Sequence, residues 1–325
     1  MMKLLGIALG AGVTSAVLFA VVTTASPAAL LLTYLSPLPI MIAALGFTHP
    51  AGAVAALVAT ITVGFVMGWP AGLGFLVTFG LPAWYLARLA QLGRPGTVGS
   101  APTLAGLPTP VEWFPIPPLM LRVVALATLP ILLAGALLIW RFGSFDRAVD
   151  IMATRLSSIL GRDTLPGDIK FSDVVRLAPV VVAAWSALML SVNLWLAGRA
   201  VKISERLLRP WPNLPDALRM PRFSAAAFAV FVAAGFLPDP FGLAATVVAA
   251  ALGVLFVFEG LATAHVLSRG LSARYATLAA IYLATIFLMP LPLFALALLG
   301  LIDCLVPQMR RGSGIKINTL PKRKH

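Results

Sequence analysis

Glu259 sits inside LGVLFVFEGLATAHVLSRG, an apolar run long enough for a membrane helix, roughly two turns from its end. A carboxylate at the centre of a bilayer costs at least about 2.5 kcal/mol and rarely faces lipid. Such a group hydrogen-bonds a neighbouring helix, holds a substrate or a proton, or takes part in catalysis. Thr263 shares its helix face by the i, i+4 spacing, while His265, six positions on, points well away. Glu259 and His265 are therefore no obvious catalytic pair. For the first reading, Asn193 in SVNLW and Arg122 are the polar partners within apolar sequence.

A second feature is a repeated break. LSPLPIMIAALG at 35–46 and LMPLPLFALALLG at 288–300 each set Pro-Leu-Pro in a hydrophobic run. Proline removes a backbone donor and clashes with the preceding turn. The polar groups so freed persist in a membrane only where protein or a water-filled cavity covers them. Secondary transporters place such discontinuous helices in corresponding positions of two halves to build a midplane substrate site; kinks with only a packing role are the alternative. The expected ligand-binding set is thus Glu259, Thr263, His265, Asn193, Pro37, Pro39, Pro290 and Pro292.

Other chemistries find little support. The single Cys304 excludes a disulfide within the chain and a thiolate metal cluster. His49, His265 and His325 lie far apart, and none belongs to a spacing that sets two ligands on one helix face, so no metal and no cofactor is expected. No nucleophile and base, metal set or paired carboxylates stand together, which argues against an enzyme and leaves no catalytic residue to name. There is no G-x-x-x-x-G-K-[ST] phosphate loop, so a coupling ATPase would be a separate subunit. Lys202, Arg206 and Arg209 are placed to meet such a subunit or anionic lipid.

The elements that must position these residues are membrane helices. Of 325 residues, 60% are apolar and 11% charged, outside the range of a soluble globular chain. At about 20 residues per crossing there is room for roughly eight to ten segments. The formal charge of +13 sits in short loops and in the last sixteen residues, the pattern of a membrane topology and not of nucleic-acid binding. The expected class is all-α, a polytopic transmembrane bundle of about 8–10 segments within 1–309, with one amphipathic interfacial helix and a disordered basic tail at 310–325.

The N-terminal run from Leu4 to Val22 imitates a secretory signal but exceeds its usual length, and reads as a first, uncleaved span. Spans at about 28–47, 51–69 and 71–90 follow, separated by Thr48-His49-Pro50 and Trp69-Pro70. The Gly- and Pro-rich stretch within 91–118 is a cytoplasmic loop, and span five covers about 119–140. Phe145, Val149, Met152, Leu156 and Ile159 then recur at helical spacing, with Ser144 as N-cap and Gly161 as terminator. This insert, about 141–172, lies along the outer membrane face or forms a lid over an outward cavity.

Ser172 and Asp173 are expected to cap a sixth span at about 173–199, which Pro179 can kink. The loop at about 200–222 is strongly basic and cytoplasmic. The stretches 223–237, 241–267 and 275–307 remain; both termini are expected on the cytoplasmic side, so the last must fold at its Pro-Leu-Pro into two short spans, giving ten segments, with eight or nine as the alternative. The first Pro-Leu-Pro instead breaks or kinks a helix near mid-membrane. Gly253, Gly260 and Ala264 supply a small-residue seam beside Glu259, and Asp303 falls near the inner end of the last segment, solvated or paired with Arg310.

EWFP at 112–115, EGLATAH at 259–265 and GLIDCLVPQMRR at 300–311, with the PLP-containing second span, resemble a bacterial family of multi-spanning proteins, the YybS-like membrane proteins. That family is grouped with the substrate-binding S components of energy-coupling-factor vitamin transporters. The resemblance implies a compact helical bundle that captures a small molecule, with fewer than ten spans, and carries over no residue role. The expected function is a transport-related, multi-pass protein of the bacterial inner membrane that binds a small solute; the alternative is a non-transporting scaffold or envelope assembly factor.

Overall fold

The computed structural model describes residues 2–24, 26–95, 111–161 and 168–306. The basic tail at 310–325 and the middle of the loop at 91–118 lie outside these residues. Among those described, seven helices are long and apolar enough to cross a membrane, and three more apolar helices are shorter. The ten expected segments are all present as helices, and the fold is an all-α polytopic bundle. The chain divides into two compact units, residues 1–212 with 229–252, and residues 213–228 with 253 onward.

In the first unit, α1 (Met2–Ala20) runs on into a 3-10 turn. The second span is split into α2 (Pro27–Tyr34) and α3 (Pro37–Gly46), as its Pro-Leu-Pro requires. Ser26 caps α2 by accepting from the Ala29 N–H at 3.1 Å, with Pro27 in the first turn where its missing donor costs nothing. Thr48 likewise caps α4 (His49–Met67), and Gly68, at φ 94°, turns the chain into α5 (Trp69–Phe75). A π-helical turn then leads into α6 (Leu81–Ala90).

The core of this unit is built from small residues, because lipid gives helices no hydrophobic reason to associate and close packing must do so. α1 lies along α4 with Gly12 against Ala55 and Val58, where an added methyl would sit 2.6 Å from the Ala55 carbonyl oxygen. Ala8, Ala16, Ala51, Ala55 and Ala59 are buried around this contact. Large apolar side chains point the other way: Phe65 is 76% exposed and Trp140 80%. That inversion suits a solvent of hydrocarbon.

The expected loop at 91–118 contains a short antiparallel pair, β1 (Gly93–Pro95) and β2 (Val111–Trp113), which three-residue strands give no sequence signal for. α7 (Ile116–Phe142) follows, and then α8 (Phe145–Leu160) at the expected place, with the Ser144 hydroxyl accepting from the Arg147 N–H and Gly161 at φ 88° ending it. The apolar stripe of α8 lies on α7 and α9 (Phe171–Ile203) at Ala148 and Val149, which are buried, while Ile159 stands clear. α9 continues through Pro179. It begins two residues earlier than expected: Ser172 is inside the helix, and the Asp173 carboxylate caps it by accepting from the Lys170 N–H at 3.2 Å.

The second unit contains α10 (Leu214–Ala217), the first half of α11 (Arg222–Ala234), the second half of α12 (Phe241–Leu267), α13 (Arg274–Phe287) and α14 (Leu291–Leu305). The stretch at 275–307 is two helices parted at the second Pro-Leu-Pro, whose Pro290 and Leu291 are exposed. α12 and α14 cross with backbones nearly touching. A β-carbon at Gly260 would collide with the Leu296 carbonyl, and one at Gly300 with that of Phe256. Gly260 thus fulfils its expected role in the seam.

Candidate functional site

The first Pro-Leu-Pro frees backbone carbonyls inside a membrane span, and two side chains from other helices take them. Leu38 donates to Leu35 and not one turn back to Tyr34, because Pro37 and Pro39 prevent regular continuation. The vacant Tyr34 carbonyl accepts from Asn193 Nδ2 of α9 at 2.7 Å, and the same nitrogen donates to the Met189 carbonyl at 2.8 Å. The Ser36 carbonyl accepts from the Ser15 hydroxyl of α1 at 2.5 Å. Ser15, Ser36 and Asn193 are fully buried. Both bonds of Asn193 use its nitrogen, so Asn193 Oδ1 is left with no hydrogen-bond partner among the described residues, and so is Ser36 Oγ.

A second irregularity faces this break. Residues Leu76–Gly80 form a π-helical turn, closed by the Leu81 N–H bonding back to the Leu76 carbonyl. Pro82 explains it: in a regular α-helix its ring would meet the Thr78 carbonyl, and widening the turn relieves the clash. Tyr34 and Pro37 from the break, Thr78 and Phe79 from the π-turn, and Ser186, Met189 and Leu190 from α9 line one pocket. It has room for about one water molecule. The Tyr34 ring meets Phe79 and Trp185 edge-on, at 6.1 and 5.9 Å between centroids, and forms its aromatic wall.

In the second unit, Glu259 is completely buried. Its Oε1 accepts from the Met220 N–H at 3.0 Å, just ahead of α11. Cys304 of α14 reaches the same residue from another side, its thiol 3.4 Å from the Met220 carbonyl and 4.0 Å from the Ser224 hydroxyl. The connection before α11 is therefore held by α12 and α14 together. Thr263, also fully buried, donates to the Glu259 carbonyl at 2.8 Å, a bond within its own helix. His265 turns away as its spacing implied and pairs with the Tyr282 hydroxyl of α13 at 2.9 Å.

The eight expected residues thus fall into two groups. Asn193, Pro37 and Pro39 belong to the first unit, and Asn193 meets the break made by the two prolines. Glu259, Thr263, His265, Pro290 and Pro292 belong to the second. Asn193 and Arg122 have partners other than Glu259: Arg122 donates to the Pro118 carbonyl at 2.9 Å and stacks on Phe114. Asp303 is 3% exposed, which replaces the solvated role expected from its place near the helix end. The π-turn, Ser15 and Cys304 are additions, and Pro82 within an apolar run was the signal for the first of them.

These features define the class: a polytopic α-helical membrane protein with a discontinuous second span, whose break is met by side chains of neighbouring helices. A family model described as "Predicted membrane protein (DUF2232)" matches residues 167–304, from the approach to α9 to the end of α14. That span includes Asn193, Glu259, Thr263 and His265 but neither Pro37 nor Pro39. No curated protein and no solved structure matches the chain.

Proposed function

We propose that this protein is a transport-related binder of a small solute in a bacterial inner membrane, with the solute held in the first unit beside the broken second span. The observation that carries the reading is the convergence of two backbone irregularities, the break after Tyr34 and the π-turn at Leu76–Gly80, on one pocket. Irregular backbone at membrane depth is costly unless protein or water covers it, and π-turns concentrate at functional sites. Asn193 Oδ1 and Ser36 Oγ, at the same break though not in the pocket's lining, are buried polar atoms with no hydrogen-bond partner among the described residues. The likeness to YybS-like proteins and to vitamin-capturing S components points the same way.

In this reading Glu259 positions Met220 and does not contact the solute. The test is a melting screen of detergent-purified protein against water-soluble vitamins, metal ions and lipids, in parallel with Ser186→Met, which fills the pocket from α9. A ligand bound to the native state raises its melting temperature by mass action. A solute that stabilises the wild type and not the variant supports the site. Equal shifts in both proteins, or none from any solute, overturn it and favour the scaffold reading.

A further inference from the structure

We infer that the first unit carries a docking surface for an acidic phospholipid headgroup, formed where α3, α6 and α9 end together. Chain connectivity brings these C-termini to one end of the unit, and contacts tie them there. Arg209 donates to the carbonyls of Ala90 and Phe114 at 3.3 and 2.9 Å, and Gln91 donates to the Leu45 carbonyl. Burial pulls the Arg209 guanidinium below its ordinary pKa, yet it remains a structural cation that serves backbone acceptors.

The neighbouring cations are held differently. Arg199 and Lys202 lie over the Trp211 ring at 5.6 and 5.5 Å from its centroid, and Arg206 over Phe47 at 4.6 Å. Trp211 itself packs on Gly198. A ring face fixes a guanidinium while leaving the N–H groups at its edge free for a phosphate. Among the described residues, none of these three cations forms an ion pair with a carboxylate. The contrast is Arg176 at the opposite end, whose donors are taken by Asp146 at 2.7 Å and Asp239 at 2.6 Å. Between Arg199 and Pro212 the only acid is Glu205.

Apolar side chains stand beside these cations. Ile203 is 75% exposed and Leu208 72%. A phosphodiester with acyl chains satisfies both halves of this surface, whereas a soluble anion satisfies only the cations. Lys and Arg near an anionic leaflet each add to the attraction, so losing two of them lowers affinity about 30-fold.

The experiment is native mass spectrometry of the full chain in neutral detergent, titrated with phosphatidylglycerol, phosphatidylcholine or inorganic phosphate, for the wild type, Lys202→Gln/Arg206→Gln and Lys170→Gln. Phosphatidylglycerol should bind the wild type and the Lys170 variant alike, and the double variant about 30-fold more weakly. The melting temperature without lipid should be the same in all three. Equal binding of the two lipids by the wild type, undiminished phosphatidylglycerol binding by the double variant, or full competition by inorganic phosphate would overturn the inference. None of these readouts depends on the pocket beside the broken span.

Discussion

At the scale of single residues, Glu259 shows how a buried charge-bearing group can be explained by what it holds. Its Oε1 accepts the Met220 N–H, and that amide, ahead of α11, has no helical partner of its own. Removing the acceptor strands a buried donor, which costs about 1–3 kcal/mol. Glu259→Leu should therefore lower stability by that amount, while Glu259→Gln, which keeps a carbonyl oxygen at the same reach, should stay within about 1 kcal/mol of the wild type. Chemical or thermal denaturation of the two variants checks this, and a destabilised Gln variant with a normal Leu variant would refute it. Glu259 was legible in the sequence because acids are rare in apolar runs. Its partner was not, since a backbone amide has no signature and Asn193 was the more conspicuous candidate. Asn193 proved to serve the break 159 positions earlier, a contact set by tertiary packing alone.

At the scale of elements, the two Pro-Leu-Pro segments show that one motif has different outcomes by burial. The first sits among α1, α3 and α9, with Pro37 buried and its stranded carbonyls capped by Ser15 and Asn193. The second is an exposed turn between α13 and α14. Span lengths made this difference readable: only about nine residues precede the first motif in its span, while two helices fit around the second. Span positions were legible from hydropathy, because a membrane helix must be long and apolar. The π-turn and the short β1–β2 pair were not, being local adjustments too brief for a periodic signal. The glycine seam yields the sharpest prediction at this scale. Gly260→Val places side-chain atoms into the Leu296 carbonyl, and α14 cannot yield without losing the matching approach at Gly300. Overpacking of this kind costs about 1–3 kcal/mol or more. Gly253→Ala, whose β-carbon meets only the edge of the Phe228 ring at 3.8 Å, should be nearly neutral. Denaturation midpoints of the two variants decide it; equal effects would mean the crossing is not where α12 and α14 are fixed.

At the scale of the whole molecule, the sequence has distributed its natural probes by unit. All seven tryptophans, from Trp69 to Trp211, lie in the first unit, and the one cysteine, Cys304, lies in the second and is 4% exposed. Indole fluorescence therefore reports on the first unit and thiol alkylation on the second. In the folded protein Cys304 should resist a water-soluble maleimide, because its thiol is packed against Met220 and Ser224 and reacts only when that packing opens. Glu259→Leu and Gly260→Val loosen this packing, so each should speed alkylation under native conditions; a loss of about 1–3 kcal/mol in local opening free energy corresponds to a rate increase of about 5- to 150-fold when reclosing is faster than alkylation. Asn193→Ala strands the Tyr34 carbonyl, and its first effect should be on the fluorescence-monitored transition. If instead the second-unit variants alkylate at the wild-type rate while their fluorescence transition shifts, then Met220, Glu259 and Cys304 are not the contacts that hold Cys304 closed.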